Sequence, residues 1–387
     1  MSTRRSLSHN GSMNRNKTVN PEGGRAQWSN QSFTVDQVVK QFPLPQIVKC
    51  TQQCLLTKKN TTLPVNLTQP ILLYRKRTIR KLLARNVFMD PETQRYTEKD
   101  ETIVIPADYE GRFLRLSSRT AKDSSCHTDL ETLSHNQVQA FLTLTKLTAN
   151  VIGSGSESQD YDQVNYGPGN VFLIDRVYLG TTHLQSEGRL FGIRGGNKTQ
   201  VRYLKCRDEK DMDVLLPLSQ TGEFVEVIPN KNGDGRLSVD SKCLIAKSKY
   251  PALVRFLTGR RRPRLKTFTG LFTLLDSFEE TTLFGCVLDP SGFTMIEIPI
   301  SSPLKFQLAL NKNDLSLNPV VKNANKLCEE NAVDFCKDLK LKFNFAQKIT
   351  QISGRSVGPL DENNPHEDTQ STTNSARFGM TTTHIYL

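Results

Sequence analysis

The chain has 387 residues, 36% of them hydrophobic, which is enough for one to three domains with an apolar core. No run approaches the roughly 20 consecutive apolar residues of a membrane span, and the polar, Arg-bearing N-terminus lacks the apolar centre of a signal peptide. We therefore expect an intracellular protein, in the cytoplasm, in the nucleus or at a membrane surface. The formal net charge of +12 raises the question of an anionic partner.

Residues 1–31 form the first predicted segment, a basic arm without a core. Arg and Lys residues recur there among Ser, Asn and Gly, and few side chains are suited to burial, a composition typical of disorder. Ser8 follows Arg5 by three residues, a spacing that suits basophilic kinases, and it is our candidate phosphorylation site. We expect the arm to be dispensable for folding.

Predicted strands dominate the rest of the chain, with a few helices between them. Apolar spacing predicts a helix over residues 32–42, and a capping-box pattern predicts another over residues 128–144. A helical segment is predicted over residues 320–347, with its clearest spacing at 327–345. Short β-branched runs predict strands over residues 47–116, 171–193, 199–227 and 250–310. Polar composition predicts an exposed loop at 152–169 and a disordered tail at 353–387.

A bend pattern occurs twice in the predicted strands. An apolar run ends at a proline, four residues intervene before a glycine, and a phenylalanine follows one residue later. Proline ends strand pairing, glycine takes backbone angles closed to other residues, and the aromatic restarts an inward-facing run. The two copies are Pro106, Gly111 and Phe113, and Pro217, Gly222 and Phe224. Pro299 with Phe306 forms a third version without the glycine.

A second echo indicates that the chain contains a duplicated β-module. Residues 45–50, PQIVKC, resemble residues 251–256, PALVRF, in the order proline, pair, valine, cation and apolar residue. Two echoes in the same order favour duplication over a solenoid, which needs a short period repeated several times. We predict a mainly β fold, barrel-like or sandwich-like, with half-modules at about 32–150 and 170–310.

Several weak motifs, taken in order, resemble the CABIT domain of Themis and GAREM proteins. They are LPQIVKC near the start, the IVIPADYEGRF bend, the segment 128–144, VRYLKC with LLPLSQTGEF, and FGCVLD with IPISSPLKF. The resemblance spans about residues 33–310. It implies a non-catalytic adaptor or scaffold in signalling below tyrosine-kinase-linked receptors, with a phosphatase or another adaptor as partner. Cys206 is the best match for the cysteine in the family name. The Serrano branch, linked to cell polarity, fits a short chain of this kind equally well.

The cations gather in clusters that leave two interpretations open. The second cluster includes Arg75, Lys76, Arg77, Arg80 and Lys81, and the third includes Arg260, Arg261 and Arg262. One interpretation is a solvated strand face and an exposed loop. The other is a surface for nucleic acid or acidic lipid. Few aromatic residues lie among these cations, which disfavours the stacking of single-stranded bases.

No motif in the sequence predicts catalysis, a cofactor or a metal. Gly153-Ser154-Gly155 lacks the third glycine of a dinucleotide-binding turn, and residues 230–241 lack the final Glu of a calcium loop. The cysteines do not form the short-spaced pairs of a zinc site, and apolar strand contexts predict that Cys50, Cys206 and Cys286 lie in the core. We expect a protein that is not an enzyme.

The C-terminus is the remaining candidate for partner binding. No two prolines stand three apart, and no tyrosine has an Asn two residues later, so the usual docking motifs of adaptor tails do not occur. Ile385 and Leu387 alternate as an extended strand would require for two apolar pockets. We therefore predict a ligand for a PDZ domain, which adds a C-terminal peptide to its sheet edge.

Overall fold

Strands account for most of the chain that the structure describes. The computed structural model describes residues 26–51, 55–56, 65–93, 95–120, 126–151, 162–183, 198–230, 237–260, 268–289, 292–343, 345–346 and 385–386. Of these residues 54% lie in strands and 17% in helices. The predicted mainly β class is therefore confirmed.

The described elements are short helices and mostly antiparallel strands. The first group is β1 (Phe33–Thr34), α1 (Val35–Gln41), β2 (Gln46–Cys50), β3 (Leu55–Leu56), β4 (Ile71–Met89), β5 (Tyr96–Pro106) and β6 (Gly111–Leu116). The second is β7 (His127–Asp129), α2 (Leu130–His135), β8 (Ala140–Thr143), β9 (Leu147–Val151), β10 (Asp162–Tyr166), β11 (Val171–His183), β12 (Lys198–Arg207), β13 (Asp213–Pro217) and β14 (Thr221–Ile228). The third is α3 (Ser241–Lys247), β15 (Ala252–Gly259), β16 (Leu271–Asp289), β17 (Gly292–Pro299), β18 (Lys305–Leu308), α4 (Lys312–Ser316), α5 (Pro319–Lys337), β19 (Lys340–Lys342), β20 (Phe345–Ala346) and β21 (Ile385–Tyr386).

Two strands of 19 residues, β4 and β16, are the frame of the fold and pair antiparallel along almost their whole length. Both sequences are apolar at the ends and polar in the middle, so the ends are buried while residues 75–80 and 276–281 are half-exposed or exposed. On its other edge β4 pairs first with β2 and then with β5. In the same way the other edge of β16 pairs first with β15 and then with β17. One pair of strands thus supports a separate apolar core at each end.

The strands that follow the frame are exchanged between the two halves of the chain. β6, which follows β5, pairs with β15, and β18, which follows β17, pairs with β2. One core therefore holds Val48 with Phe306, and the other holds Phe113 with Phe256. Strands β7 to β14 enclose a further core between them. These groups differ from the predicted half-modules 32–150 and 170–310, because the first and last thirds of the chain share their sheet.

All three proline bends close with the same pair of backbone hydrogen bonds. In each bend a strand ends at the proline. The amide of the next residue donates to a carbonyl in the preceding strand of the chain, and the amide of the third residue after the proline donates to the carbonyl of the proline itself. The pairs are Ala107 to Arg80 and Tyr109 to Pro106, Leu218 to Arg202 and Gln220 to Pro217, and Ile300 to Thr281 and Ser302 to Pro299, all at 2.9 to 3.0 Å. Phe113, Phe224 and Phe306 are fully buried. The predicted equivalence of the first two bends is confirmed, and the third joins them.

The second echo is also a structural one. Pro45 and Pro251 both follow a cis peptide bond, and each lies between a short helix, α1 or α3, and the strand that follows that helix, β2 or β15. The capping box of α1 is formed by Thr34 and Gln37, as Thr and Gln three residues apart allow. The helix predicted over residues 32–42 is therefore confirmed at 35–41.

The other helix predictions differ from the structure. The helix predicted over residues 128–144 ends at His135, because Gln137 takes a positive φ of 54° and residues 140–143 form a strand buried on both faces. Asp129 is its N-cap, whereas the capping-box pattern used for the prediction begins at Thr128. The last helix, α5, begins at Pro319 behind an Asn318 cap, one residue before the start of the predicted segment 320–347. It ends at Lys337, ten residues before the predicted end, and residues 340–342 form β19 instead.

Two predicted irregular segments are partly ordered in the sheet. Residues 162–166 of the predicted loop form β10, which pairs with β9. Within the predicted N-terminal arm, Trp28 bridges to Ala309, and the Ser29 amide donates to the Leu308 carbonyl at 2.8 Å. Residues 1–25, most of the loop at 152–161, and the tail apart from residues 385–386 lie outside the described residues.

Candidate interaction sites

The five candidate cations of β4 divide between solvent and partners within the fold. Arg75, Lys76 and Arg80 are exposed. Arg77 is half-buried, and its guanidinium lies 2.6 Å from a carboxylate oxygen of Asp108. Lys81 is buried, with 1% of its surface exposed. Three of the five predicted interaction residues are therefore available to a partner. The prediction that Lys81 binds a partner is contradicted, because its side chain is buried.

Acidic side chains on the neighbouring strand interrupt this basic surface. Glu279 of β16 is exposed and is the register partner of Arg80, and the exposed Asp276 lies on the same strand. A polyanion on this face would meet these carboxylates beside the cations. The charge pattern is thus mixed over the middle of the β4 and β16 pair.

The third predicted cluster is described only at Arg260. Its guanidinium donates two hydrogen bonds to the carboxylate of Asp334 in α5. This fork geometry ties the end of β15 to the helix. Arg261 and Arg262 lie outside the described residues, as does the candidate phosphorylation site Ser8.

Lys81 belongs to a buried group of charges contributed by four strands. Its Nζ lies 2.8 Å from Oε1 of Glu297 and 3.2 Å from Oε2 of Glu280. Lys340 Nζ lies 2.9 Å from Oε2 of Glu297, and Thr282 Oγ1 donates to Oε1 of Glu297 at 2.6 Å. We call these five residues the ionic cluster. Each oxygen of Glu297 thus has a charged partner, which is the condition for burying a carboxylate.

Burial and charge act in opposite directions on the two carboxylates of the ionic cluster. Burial by itself raises the pKa of Glu297, but Lys340 and Lys81 outweigh it and lower that pKa to about 2. At Glu280 burial outweighs the attraction of Lys81, so its pKa is raised. Glu297 is therefore the permanent anion that holds the two lysines together.

The C-terminal strand completes the wall around the ionic cluster. β21 pairs in parallel with β17 on one side and with β19 on the other. Tyr386 is fully buried, its hydroxyl donates to the carboxylate of Glu280, and Nζ of Lys81 lies 4.6 Å from its ring centre. Strands β4, β5, β19, β21, β17 and β16 consequently form a closed ring in which each pairs with the next.

This position bears on the predicted PDZ ligand. A PDZ domain needs a strand with a free edge, whereas Ile385 is paired with Ile296 on one edge and with Leu341 on the other. Leu387 lies outside the described residues. A PDZ domain would therefore have to compete with the protein's own sheet for these residues.

The cysteines pack in the cores, as their apolar contexts predict. Cys50, Cys206 and Cys286 are buried, and Cys206 lies against Phe141, Phe172 and the other residues of the core between β7 and β14. Burial, and to a lesser extent Asp175, raises the pKa of the Cys206 thiol. This cysteine is therefore a packing residue and not a reactive thiolate at neutral pH.

An apolar edge on β11 was not predicted from the sequence. Leu173, Val177, Tyr178 and Leu179 are exposed by 36 to 63%, half of the exposed large apolar side chains in the described residues. β8 pairs with β11 only over Val171–Leu173, and a bulge follows between Ile174 and Arg176. Beyond the bulge, no described strand pairs with this edge. The signal was in the sequence, since apolar residues at 177–179 do not alternate as a half-buried strand requires.

Two further observations concern only the described part of the chain. There, no helix is long and apolar enough to cross a membrane. Nor does that part contain a group of three His, Cys, Asp or Glu side chains placed to share a metal ion.

Comparison with known proteins identifies the family. The CABIT family model, described as "cell-cycle sustaining, positive selection", matches residues 44–322, almost three quarters of the chain. Searches of the curated proteins and of the solved structures found no match. The matched range holds the two long strands, all three proline bends and Cys206. The chain therefore belongs to the CABIT family.

Proposed function

We propose that this protein is a non-catalytic signalling adaptor whose CABIT domain binds a partner protein along the apolar edge of β11. Family membership supports this class of protein. The chain shares the motifs named above with the Themis and GAREM proteins, and that resemblance implies a non-catalytic adaptor. The expected setting is signalling below receptor tyrosine kinases, or cell polarity, in the cytoplasm. The expected partner is a phosphatase or another adaptor.

The observation that carries the proposal is the combination of exposed apolar side chains and an open strand edge. Tyr178 and Leu179 lie next to each other beyond the bulge, and Leu179 is exposed by 63%. Tyrosine is enriched among the residues that dominate protein interfaces. An open edge adds backbone hydrogen bonds to a partner strand. A single exposed apolar side chain would need no explanation, whereas four exposed apolar side chains on one strand indicate an interaction surface.

A matched pair of variants tests this surface. We expect Tyr178→Ala with Leu179→Ser to remove the partner proteins recovered with the tagged full chain from cells. Leu317→Ser is the control, because Leu317 is exposed by 68% on a different part of the molecule. Truncation of an interface anchor costs more than about 1 kcal/mol, so the loss of two anchors should weaken binding at least about thirtyfold. Equal partner recovery with both variants would contradict the proposal.

The alternative is binding of nucleic acid or acidic membrane through the exposed cations of β4. With three phosphate contacts, from Arg75, Lys76 and Arg80, affinity would fall about 40-fold over a fourfold rise in salt. An apolar interface would change little under the same conditions. Replacing these three cations with Glu should abolish binding on this alternative and leave the β11 partner bound on the proposal.

A further inference from the structure

The closed ring of strands has one member that comes from far along the chain. β17 and β19 do not pair with each other where β21 lies between them. If β21 left, both would present an unpaired edge over these residues, with the ionic cluster behind it. Unpaired edges of this kind readily accept an extended peptide.

The gap offers both backbone and side-chain recognition. On the backbone side, Ile385 and Tyr386 are in parallel register with Ile296 and Glu297, and the Phe343 amide donates to the Tyr386 carbonyl at 3.0 Å. On the side-chain side, the tyrosine ring faces the ammonium of Lys81 at 4.6 Å from the ring centre, an attractive arrangement.

The hydroxyl of the bound tyrosine makes the gap selective. It donates to the carboxylate of Glu280 inside the fold, and no part of Tyr386 is exposed. A phenylalanine would keep the contact with Lys81 and lose this bond. Lys81 would remain beside Glu280, but the part-buried carboxylate would lose one of its two donors. Tyrosine is therefore preferred to phenylalanine.

We propose that the gap between β17 and β19 is a binding site for an extended peptide bearing an unphosphorylated tyrosine, and that the chain's own C-terminal strand occupies it. The occupant is the named segment Ile385–Tyr386, bound within the same molecule. Between Ala346 and Ile385 lie 38 residues, which reach up to about 125 Å when extended. Chain length therefore permits this connection.

Phosphorylation of the tyrosine is incompatible with the site. The phosphate would add a charge of about −1.5 to −2 at the oxygen that now contacts Glu280. Lys81 and Lys340 are already paired with Glu297. Lys342, whose charge also acts on Glu280, would then face both that carboxylate and a phosphate of up to about two negative charges. A phosphorylated C-terminus consequently leaves the gap, and both strand edges become available.

The first experiment leaves the site unchanged. A protease site replaces residues 361–366 of the full chain, and the protein is cut after purification. We expect the released C-terminal fragment to co-elute with the body in gel filtration as a monomer. Cutting a Tyr386→Ala version should release the fragment. Separation of the wild-type fragment would overturn the proposal, and a dimer that dissociates on cutting would overturn binding within one molecule.

The second experiment measures binding from outside. A fluorescent peptide of residues 376–387 is titrated against the uncut full chain carrying Tyr386→Ala, whose folding is checked by its thermal melt. We expect binding that is at least about tenfold tighter than to the wild-type chain, where the attached strand competes at millimolar effective concentration. Phosphorylating the peptide tyrosine should abolish binding, and Tyr to Phe should weaken it. Equal binding of the phosphorylated peptide, or equal binding to both chains, would overturn the proposal.

Should Tyr386→Ala fail to fold, hydrogen exchange on the wild-type chain provides the second readout. After quantitative phosphorylation of the C-terminal tyrosine by a tyrosine kinase, the amides of residues 296–298 and 341–343 should exchange at least about tenfold faster than before. Amides in β8 and β14, remote from the gap, serve as the internal control. Unchanged protection at 296–298 would overturn the proposal.

Discussion

Replacing Glu297 with Gln tests the central carboxylate of the ionic cluster. The substitution keeps the shape of the side chain and the hydrogen bond from Thr282, and it removes the charge between Lys81 and Lys340. Lys81 would then keep Glu280, 3.2 Å away, as its charged partner, and Lys340 would keep its contacts with the carbonyl oxygens of Cys336 and Asp338. We expect the free energy of unfolding to fall, because breaking a buried ion pair leaves a charge without its partner.

The magnitude follows from the pKa of the carboxyl group. The usual value for glutamate is 4.5, and the fold lowers it to about 2. This interval corresponds to about 3 kcal/mol of stability from the ionised form. The estimate agrees with the loss of about 3 to 5 kcal/mol when one partner of a buried pair is removed. For a domain of ordinary stability this is a large fraction of the total.

The sign of the pH dependence also follows. A lowered folded-state pKa means that the contribution of Glu297 is complete above pH 4.5 and is lost as the pH falls toward about 2. The pKa of Glu280 is raised, so its contribution runs the other way and is lost as the pH rises through its folded-state pKa. Glu280→Gln should therefore cost less than Glu297→Gln at neutral pH.

Urea unfolding of the wild type and both variants at pH 7 and at pH 3 makes the comparison. The difference between wild type and Glu297→Gln should be about 3 kcal/mol at pH 7 and clearly smaller at pH 3. A Glu297→Gln variant as stable as the wild type at pH 7 would show that the ionised carboxylate does not stabilise the fold. So would a difference that does not change with pH.

The fold makes three more predictions. Phe113→Ala and Phe224→Ala should each lower the free energy of unfolding by about 3 to 5 kcal/mol in urea titrations, since both rings are fully buried. A wild-type midpoint in either variant would show that its ring does not stabilise a core. Gly285→Ala should lower the free energy of unfolding by about 1 to 3 kcal/mol in the same titrations, because the added Cβ would lie 2.5 Å from a backbone oxygen. Gly167→Ala is the control and should leave it nearly unchanged, because no atom lies within 4 Å of the added Cβ. Deleting residues 1–25 should leave the thermal melt unchanged. Extending the deletion to residue 30 should lower it, because Trp28 and Ser29 pair with the end of β18, and the expectation that the whole arm 1–31 is dispensable is revised accordingly.

Local chemistry made the bends predictable. Pro106 and Pro217 end their strands because they carry no N–H, and the amides that follow return to the previous strand or to the proline itself. Pro299 makes the same bonds without the later glycine. The glycine is therefore not what defines the bend; proline at the strand end and an inward-facing phenylalanine afterwards are the common features.

Long-range pairing was not predictable in the same way. The repeated sequence pattern shows that residues 45–50 and 251–256 are equivalent. It does not show whether each segment pairs with a strand of its own half of the chain or with the equivalent strand of the other half. β18 pairs with β2 across some 250 residues of sequence. Exchanged pairing buries the same apolar faces as pairing within each half, so the hydrophobic pattern alone could not distinguish the two.

The role of Lys81 could not be read from its neighbours for a related reason. On β4, alternation places Lys81 opposite to Leu82 and Ala84, which face a core, so the pattern predicts an exposed cation. The second face is covered by β19 and β21, which come from the far end of the chain. A cation in a basic run thus became the partner of a buried carboxylate because of elements some 260 and 300 residues away.

A PDZ domain and the gap between β17 and β19 would both take the same C-terminal residues. Binding to one excludes the other, because β21 is paired on both edges. If the chain has a PDZ partner, a peptide of residues 374–387 should bind it more tightly than the full chain does. The attached strand acts at about millimolar effective concentration, so we expect at least about a tenfold difference.

Measuring both ligands against the same immobilised PDZ domains decides the matter. A peptide with an amidated carboxylate serves as the control, since PDZ domains hold the free carboxylate in a backbone nest. Lys81→Met should weaken the binding of Tyr386 in the gap by removing the ammonium over its ring. It should therefore bring the full chain closer to the peptide in affinity. A thermal melt of this variant checks that the fold survives the loss of this partner of Glu297. Full chain and peptide binding with equal affinity would show that the gap does not restrain the C-terminus in solution.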